Sequence, residues 1–215
     1  MTLSLPATYL DNLVDRIPAL RPLRPSLERA QEVLTSCARS GGLIMVCGNG
    51  GSAADAEHIV GELMKGFLLP RPLAEDMQGK LIENFPQEGA FLAKHLQSGI
   101  RAISLVSGVA LPTAFANDVA GELAFAQQVF GLGKAGDVVW GISTSGNSAN
   151  VNHAFRVART LGMTTLGLTG RNGGPMAELC DVELRMPAGE TPLIQELHLP
   201  VYHALCAALE AELFA

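Results

Sequence analysis

Four polar side chains from the two ends of the chain are the strongest candidates for chemistry. His58 and Glu62 are four residues apart in a helical pattern, and Gln195 and His203 are eight apart in another. Residues at i and i+4 share one face of a helix, and a spacing of eight turns by only about 80°. Two imidazoles, a carboxylate and an amide can bind a divalent metal or move a proton by acid–base catalysis. A solvated helix face shows the same spacing, so the pattern leaves both roles open.

Two loops rich in glycine and hydroxyl groups stand between an apolar run and a helical pattern. They are Gly48-Asn-Gly-Gly-Ser52 and Ser143-Thr-Ser-Gly-Asn-Ser148. A single hydroxyl ahead of a helix often does no more than cap it. Four hydroxyls within the six residues 143–148 exceed that need, which favours a phosphate site formed by hydroxyl and N–H groups. Asn117 and Asp118 follow the apolar run at 102–106 by one helix. If these runs are parallel strands, their carboxyl ends meet at one edge of a sheet, so we expect both residues near the two loops.

Two better-known phosphate cradles fit the first loop poorly. A Walker A loop needs Lys followed by Ser or Thr after its glycines, and no such pair follows here. The dinucleotide pattern is met formally by Gly48, Gly50 and Ala53. That fold also needs an acidic residue about 20 positions later, at the end of a second strand. Asp76 lies in a proline-flanked stretch instead, and the next apolar run begins only near 102, which disfavours a nicotinamide cofactor.

The elements that position these residues follow from hydrophobic periodicity and from Gly and Pro. Apolar runs alternate with helical patterns, which predicts a parallel sheet covered by helices on both faces. We predict strands at 43–47, 102–106, 137–142, 164–169 and 182–186. We predict helices at 7–20, 26–40, 52–66, 88–98, 109–116, 121–131 and 147–161, and one long C-terminal helix after Pro192. The predicted fold is a three-layer α/β domain, 1–215, with N-terminal helices in 1–41 and an insertion or lid at 73–100.

Composition narrows the partners and the compartment. The 215 residues carry a net charge of −6, which argues against broad binding to nucleic acid or to an anionic membrane. No apolar run approaches the roughly 20 residues that span a membrane, and the first residues lack the pattern of a signal peptide. The four cysteines show no metal-binding or disulfide spacing. We therefore expect a cytoplasmic protein with reduced thiols.

Several motifs together resemble the phosphoheptose isomerases, a family with the sugar isomerase (SIS) fold, which is flavodoxin-like. The resemblance covers nearly the whole chain apart from about 30 residues between Pro72 and Ile100. Its motifs are Cys47-Gly-Asn-Gly-Gly-Ser52, Asp55-Ala-Glu-His58 with Glu62 after it, Asn117-Asp118, Gly141-Ile-Ser-Thr-Ser-Gly-Asn-Ser-Ala-Asn-Val151, Leu168-Thr-Gly-Arg-Asn-Gly-Gly174 and Ile194-Gln-Glu-Leu-His198.

The resemblance implies an aldose–ketose isomerisation. Such enzymes convert D-sedoheptulose 7-phosphate to D-glycero-D-manno-heptose 7-phosphate through an enediolate, the first step toward ADP-heptose for lipopolysaccharide and other glycans. Motif position makes Glu62 and His203 the acid–base pair. The zinc ligands of the family map to His58, Glu62, Gln195 and His203. His198 matches a family histidine for which we expect a structural role.

The same resemblance implies where the sugar phosphate binds. The phosphate falls to the serine loop, and the sugar to the glycine loop, Asn117-Asp118 and Gln195. It also implies a homotetramer with active sites at subunit interfaces. The implied substrate-binding residues are Asn49, Gly50, Gly51, Ser52, Asn117, Asp118, Ser143, Thr144, Ser145, Ser148 and Gln195.

Four departures from the family pattern leave the substrate open. Pro192 replaces a usual Asp, Gly66 replaces a frequent Arg, and Pro200 interrupts the C-terminal helix, where we expect a bend. The 73–100 insertion is the fourth. Two other readings stay open: a non-catalytic SIS protein that binds a sugar phosphate or a replication-initiation protein, and a different SIS reaction. Retention of the four polar side chains favours the isomerase, since a pure binding module has no need of them.

Overall fold

The computed structural model describes residues 5–215, so residues 1–4 of the predicted domain lie outside the described part. A parallel five-stranded sheet forms the centre, in the order β2-β1-β3-β4-β5. The strands are β1 (Ile44–Gly48), β2 (Ala102–Ser104), β3 (Val138–Ser143), β4 (Thr164–Thr169) and β5 (Val182–Arg185). All four pairings are parallel, with Val46 opposite Trp140 and Trp140 opposite Leu166.

Helices connect every pair of strands except the last, which a 3₁₀ segment joins. The α-helices are α1 (Leu5–Arg16), α2 (Arg24–Arg39), α3 (Gly51–Met64), α4 (Glu75–Asn84), α5 (Gly89–His95), α6 (Ala110–Phe115), α7 (Ala124–Leu132), α8 (Ala149–Thr160) and α9 (Thr191–Phe214). Short 3₁₀ helices occupy Pro18–Leu23, Gly121–Leu123 and Gly174–Leu179, and a π turn occupies Ala116–Ala120.

Alternate residues of the central strand face the two helical layers. Trp140 belongs to a core formed with α1, α2, α3 and α9, and its neighbour Val139 belongs to a separate core formed with α7 and α8. Successive side chains of a strand point to opposite faces, so a sheet buried on both sides has apolar residues at every position. The predicted three-layer α/β fold is confirmed.

Several predicted boundaries are wrong by a few residues. The first helix ends at Arg16 rather than at 20, and a 3₁₀ turn begins at Pro18, whose ring cannot supply a helical N–H. The predicted helix 121–131 begins at Ala124, after a π turn and a 3₁₀ turn. The strand predicted at 102–106 ends at Ser104. The C-terminal helix starts at Thr191, because Pro192 is compatible with a first helical turn.

The 73–100 segment contains two short helices where one was predicted. Pro72 and Gln97 form an antiparallel bridge, so the segment leaves and returns at one place. Gln97 also accepts a hydrogen bond at 2.7 Å from the backbone N–H of Gly66, just beyond α3. No residue of α4 is buried in the described chain. Whether the segment closes over a ligand stays a prediction.

The sheet order places one crevice at a defined point. The chain leaves β1 towards β2 on one side and returns to β3 on the other. Ligands of open α/β sheets bind outside the carboxyl ends of the strands at such a switch point. The loops after β1 and β3, residues 48–52 and 143–148, lie there. Within residues 5–215, every helix is too short or too polar to cross a membrane.

Candidate functional site

The structure brings together three of the four predicted reactive side chains. His58 Nε2 lies 3.2 Å from Glu62 Oε1 and 3.4 Å from His203 Nε2. The first pair shares a face of α3, and the neighbouring face of the helix buries Ala56, Ile59 and Leu63 in the core. The two imidazole rings meet edge to face, with centroids 4.9 Å apart. Packing of α9 on α3 thus joins residues from distant parts of the chain into one cluster.

Burial and neighbouring charges influence the electrostatics of this cluster. The Glu62 side chain is 14% exposed and that of His58 is 42% exposed. Lys65 Nζ lies 3.2 Å from Glu62 Oε2, so the carboxylate has a cation on the side away from His58. Burial lowers the pKa of His203, and the charges of His58 and Arg16 lower it further, although Glu62 opposes them. The lowered pKa favours the neutral imidazole of His203, which has a lone pair available on its ring.

Tyr202 and Asp55 support His58 from behind. The Tyr202 hydroxyl lies 2.9 Å from His58 Nδ1 and donates to Asp55 Oδ1 at 3.3 Å. Tyr202 is only 1% exposed, so its hydroxyl is held away from solvent. Burial raises the pKa of Asp55, although the Tyr202 hydrogen bond and His58 act against that rise. The family motifs did not reveal Tyr202, because its role depends on how α9 packs.

Gln195, on α9, lies apart from the cluster and packs against the start of α3. Its amide packs against Gly51 so closely that a Cβ at that glycine would overlap it. Gly51 precedes His58 by seven residues, or about 10 Å of helix axis. Among residues 5–215, Gln195 makes no hydrogen bond to His58, Glu62 or His203. Its predicted role as a metal ligand stays a prediction.

The donor set fits zinc in chemistry and in pair spacing. Imidazole nitrogens and a carboxylate oxygen are zinc ligands, and ligands about 2.0–2.1 Å from a tetrahedral ion lie about 3.3 Å apart. The two distances from His58 Nε2, 3.2 and 3.4 Å, match that value. Residues 5–215 contain no group of three or more His, Cys, Asp or Glu side chains that is already arranged to bind a metal ion.

The serine loop presents hydroxyls that do not cap the helix after it. Ser143 Oγ and Ser148 Oγ lie 2.9 Å apart, and Ser145 Oγ accepts the N–H of Asn147 at 3.2 Å. Ser148 is the N-cap residue of α8, yet its side chain makes no capping hydrogen bond within the described chain. Capping alone therefore does not account for these hydroxyls. Val151 N–H donates to Asn150 Oδ1 at 3.0 Å, which leaves the N–H groups of Ala149 and Asn150 in the first turn of α8 for an anion.

Tight backbone packing holds the serine loop in shape. Gly146 has φ +67°, and a Cβ there would overlap the carbonyl oxygen of Gly173. Gly170 N donates to Thr144 O at 2.9 Å. A cavity of about 180 Å³ opens beside the loop, with Thr144, Ser145 and Arg171 in its walls. Arg171 brings a positive charge that the serine and glycine pattern did not predict.

The glycine loop and the serine loop are joined at their bases. Asn49 and Asn150 exchange two amide hydrogen bonds, 2.9 and 2.8 Å long. Gly50 is in the left-handed region, with φ +57°, and Ser52 is buried where α3 begins. The predicted convergence of these two loops at one edge is present in the structure. Asn150 joins them, although the sequence did not single it out.

Asn117 and Asp118 lie in the π turn that follows α6. Both side chains are exposed, and Asn117 Nδ2 donates to Asp118 Oδ1 at 2.7 Å. Short π segments often occur at functional sites. Within residues 5–215 neither side chain makes a hydrogen bond to the other two loops. Their predicted contact with a sugar stays a prediction.

Known proteins resemble this chain in sequence and in structure. One profile of the SIS domain matches residues 8–83, and another matches residues 110–211. Phosphoheptose isomerase from Burkholderia pseudomallei is 40% identical over 214 residues, which cover 96% of this chain and 95% of that protein. Phosphoheptose isomerase from Helicobacter hepaticus is 38% identical over 190 residues, which cover 88% of this chain and 84% of that protein.

Two solved structures are also similar to this chain. A phosphoheptose isomerase from Francisella tularensis has a TM-score of 0.74 at 30% identity, with 94% of each chain covered. The enzyme from Neisseria gonorrhoeae has a TM-score of 0.70 at 33% identity, with 95% of this chain and 92% of its own covered. The chain belongs to the phosphoheptose isomerase family of SIS-domain proteins and is a sugar-phosphate isomerase.

Proposed function

We propose that this enzyme interconverts D-sedoheptulose 7-phosphate and D-glycero-D-manno-heptose 7-phosphate. The observation that carries the proposal is the cluster of Glu62, His58 and His203, with spacings of 3.2 and 3.4 Å. A carboxylate beside two imidazoles suits proton transfer between neighbouring carbon atoms, and a module that only binds sugar phosphates has no use for it. The names of the relatives support the heptose phosphate as substrate.

The reaction moves two protons and leaves the molecular formula unchanged. Glu62 takes the proton from C1 of the ketose, and the C1–H electron pair forms the enediolate as the C2 carbonyl oxygen becomes an oxyanion. The proton returns from Glu62 to C2, while the proton of the C1 hydroxyl passes to the C2 oxygen through His203. The product is an aldehyde at C1 and a hydroxyl at C2. Neutral His203 can accept and donate in turn, which this second transfer requires.

Zinc is the proposed cofactor. His58, Glu62 and His203 would hold it, with Gln195 as a fourth ligand, and the bound ion would stabilise the negative charge that develops on the substrate oxygens. The side chains of this chain have separate tasks. His58 orients the ligand cluster, Glu62 carries the carbon-bound proton, and His203 serves the oxygens.

The remaining site residues bind and orient the substrate. Ser143, Thr144, Ser145 and Ser148 offer hydroxyls at the start of α8, where the helix dipole favours a phosphate. Asn49 and Gly50 lead into α3, which begins with Gly51 and Ser52. We assign these four residues to the sugar hydroxyls together with Asn117, Asp118 and Gln195. A phosphate fixed at one end places C1 and C2 at the reactive cluster, which converts binding energy into orientation.

A homotetramer with sites at the subunit interfaces is part of the proposal. Met64 and Leu68, on either side of Lys65 at the end of α3, are 51% and 52% exposed in the single chain. Val109 and Val119 flank α6 and are 75% and 65% exposed. Large exposed apolar side chains near a site are typical of surfaces that another protein covers. Light scattering after gel filtration tests the assembly.

We place the reaction in the cytoplasm, as a first step toward ADP-heptose for lipopolysaccharide and other glycans. Within the described chain all four cysteines are free thiols, and Cys37, Cys47 and Cys206 are buried. Free buried thiols agree with a reducing compartment.

Incubation with sedoheptulose 7-phosphate tests the reaction directly. The expected result is an aldose 7-phosphate that builds up to equilibrium, with exchange of the transferred proton measured in deuterated water. Several other ketose phosphates are run beside it to define the substrate. Binding of the sugar phosphate without any turnover would favour the non-catalytic regulator, whereas turnover of a different ketose phosphate alone would change the substrate and keep the reaction.

A further inference from the structure

The ring of His58 is anchored by a side chain from another helix. Its Nδ1 atom faces the Tyr202 hydroxyl at 2.9 Å, and its Nε2 atom faces Glu62 and His203. Asp55 stands three residues before His58 on α3 and lies 3.3 Å from the same hydroxyl. Both nitrogens of His58 therefore have assigned neighbours, and the buried hydroxyl links the ring to a carboxylate.

The hydrogens available to His58, Tyr202 and Asp55 determine which ring nitrogen of His58 carries the proton. A phenol has one hydrogen to donate, and an ionised carboxylate can only accept. If Tyr202 donates to Asp55, its oxygen accepts the Nδ1–H of His58, and both contacts of the hydroxyl contain one proton. Nε2 of His58 then has no hydrogen for Glu62, but that carboxylate keeps Lys65 as a partner at 3.2 Å. If Tyr202 donates to His58, Asp55 Oδ1 faces an oxygen with no hydrogen between them. The other oxygen of Asp55 is already buried without a partner in the described chain, so the first arrangement is the favourable one.

We infer that Tyr202 and Asp55 are positioning residues that keep the proton of His58 on Nδ1 and direct its Nε2 lone pair towards Glu62 and His203. The inference rests on the proposed function, in which His58 is a zinc ligand. Metal-binding histidines commonly donate their second ring N–H to such a partner, and loss of that partner lowers metal affinity. In this chain the partner is a phenol that hands the interaction on to a carboxylate.

Tyr202→Phe is the primary test, because it removes only the hydroxyl and keeps the buried ring. We expect zinc affinity to fall roughly 10- to 100-fold, measured on metal-free protein by competition with a chromophoric chelator. Tyr9→Phe is the matched control, since Tyr9 lies on α1, is the other tyrosine of the chain and, within the described residues, makes no hydrogen bond or ring contact to His58. Equal zinc affinities of wild type, Tyr202→Phe and Tyr9→Phe overturn the inference.

A second readout does not depend on metal. Nitrogen NMR of histidine-labelled, metal-free protein reports which ring nitrogen of His58 carries the proton. We expect Nδ1–H in the wild type. We expect Nε2–H in Asp55→Leu, because the Tyr202 hydroxyl then gives its only hydrogen to Nδ1. Nε2–H in the wild type, or an unchanged tautomer in Asp55→Leu, overturns the inference, and circular dichroism confirms that each variant is folded.

The two arms separate failure of this inference from failure of the proposed zinc site. If the wild type binds no zinc, the zinc proposal fails, and the tautomer of His58 alone decides whether Tyr202 and Asp55 position the ring. If the wild type binds zinc and Tyr202→Phe binds it equally well, the zinc site stands and the positioning role is wrong.

Discussion

The Nε2 atoms of His58 and His203 lie 3.4 Å apart, although 145 residues separate them in the chain. The pair forms because α9 packs along α3 over a shared apolar core that includes Ile59 and Leu205. Glu62 completes the group from the same face of α3. Each of the following predictions tests one contribution to this arrangement or to the loops beside it.

Glu62→Gln should abolish turnover and leave ligand binding nearly unchanged. The amide keeps the size of the side chain but cannot take a proton from carbon, and loss of such a group typically costs 10²–10⁴-fold in rate. Steady-state kinetics and calorimetric binding of the sugar phosphate check the two parts. Glu57→Gln, one position before His58 on the same helix, is the control and should keep wild-type rates. Unchanged turnover in Glu62→Gln would end the proton-transfer role.

Removal of zinc should suppress activity, and its return should restore it. Exhaustive chelation followed by elemental analysis and assay measures both, because the proposed ion stabilises the developing oxyanion. Addition of zinc back to the metal-free enzyme is the control for damage during chelation. Full activity in protein that contains no metal would remove zinc from the mechanism and leave the roles of Glu62 and His203 intact.

Ser148→Ala should weaken binding of phosphorylated sugars selectively. Its hydroxyl lies 2.9 Å from that of Ser143 and is free of a capping role, and a hydrogen bond to a charged group contributes about 1.5–3 kcal/mol. We expect KM to rise about 10- to 100-fold with little change in kcat. Ser36→Ala, at an exposed position of α2, is the control. Equal loss of affinity for a ligand without phosphate would point to a folding defect instead.

Glu210→Gln should destabilise the fold and change its response to acid. Glu210 is fully buried, bonds Arg71 at 2.7 Å and accepts the N–H groups of residues 67–69. Removing one partner of a buried ion pair costs roughly 3–5 kcal/mol. Urea unfolding measures the loss. Glu212→Gln is the control, because its ion pair with Arg39 is exposed and such pairs contribute about 0–1 kcal/mol.

The sign of the acid response follows from the pKa of Glu210. Burial raises that pKa, but the three backbone N–H groups and Arg71 outweigh burial, and the net pKa is lowered. The unfolded carboxyl, with an ordinary pKa of about 4.3, therefore binds a proton at higher pH than the folded one. The Glu210 contribution is full above that pH and is lost as the pH falls through the folded pKa. The Gln variant should lack this part of the pH dependence.

Apolar runs predicted the sheet well because a parallel strand buried on both faces leaves little choice of residue. The run 164–169 matches β4 at both ends, and the run 137–142 differs from β3 by one residue at each. Boundaries near special backbone were harder. Pro18 ended α1 early, and the wide turn at Ala116–Ala120 delayed α7, because local turn geometry leaves no periodic pattern to detect.

The reactive residues were recognised by type, but their partners were not. The i,i+4 spacing of His58 and Glu62 is a property of any helix, so their contact was predictable. Tyr202, Asn150 and Arg71 act through contacts that cross the chain by about 100 residues or more, and nothing in their local sequence indicates them. Gln195 shows the opposite case, since its residue type fits the site while its amide packs against Gly51.

The sequence by itself determined the sheet and its helices, the two loops at the switch point and the residue types of a proton-transfer site. Periodicity, glycine placement and helical spacing are local properties, so they can be read without coordinates. Only the tertiary structure decided that His203 meets His58, that Tyr202 and Asp55 anchor the ring behind it, and that Arg71 and Glu210 tie the end of α3 to α9. These contacts depend on how one helix packs on another, and that packing is settled by the whole core at once.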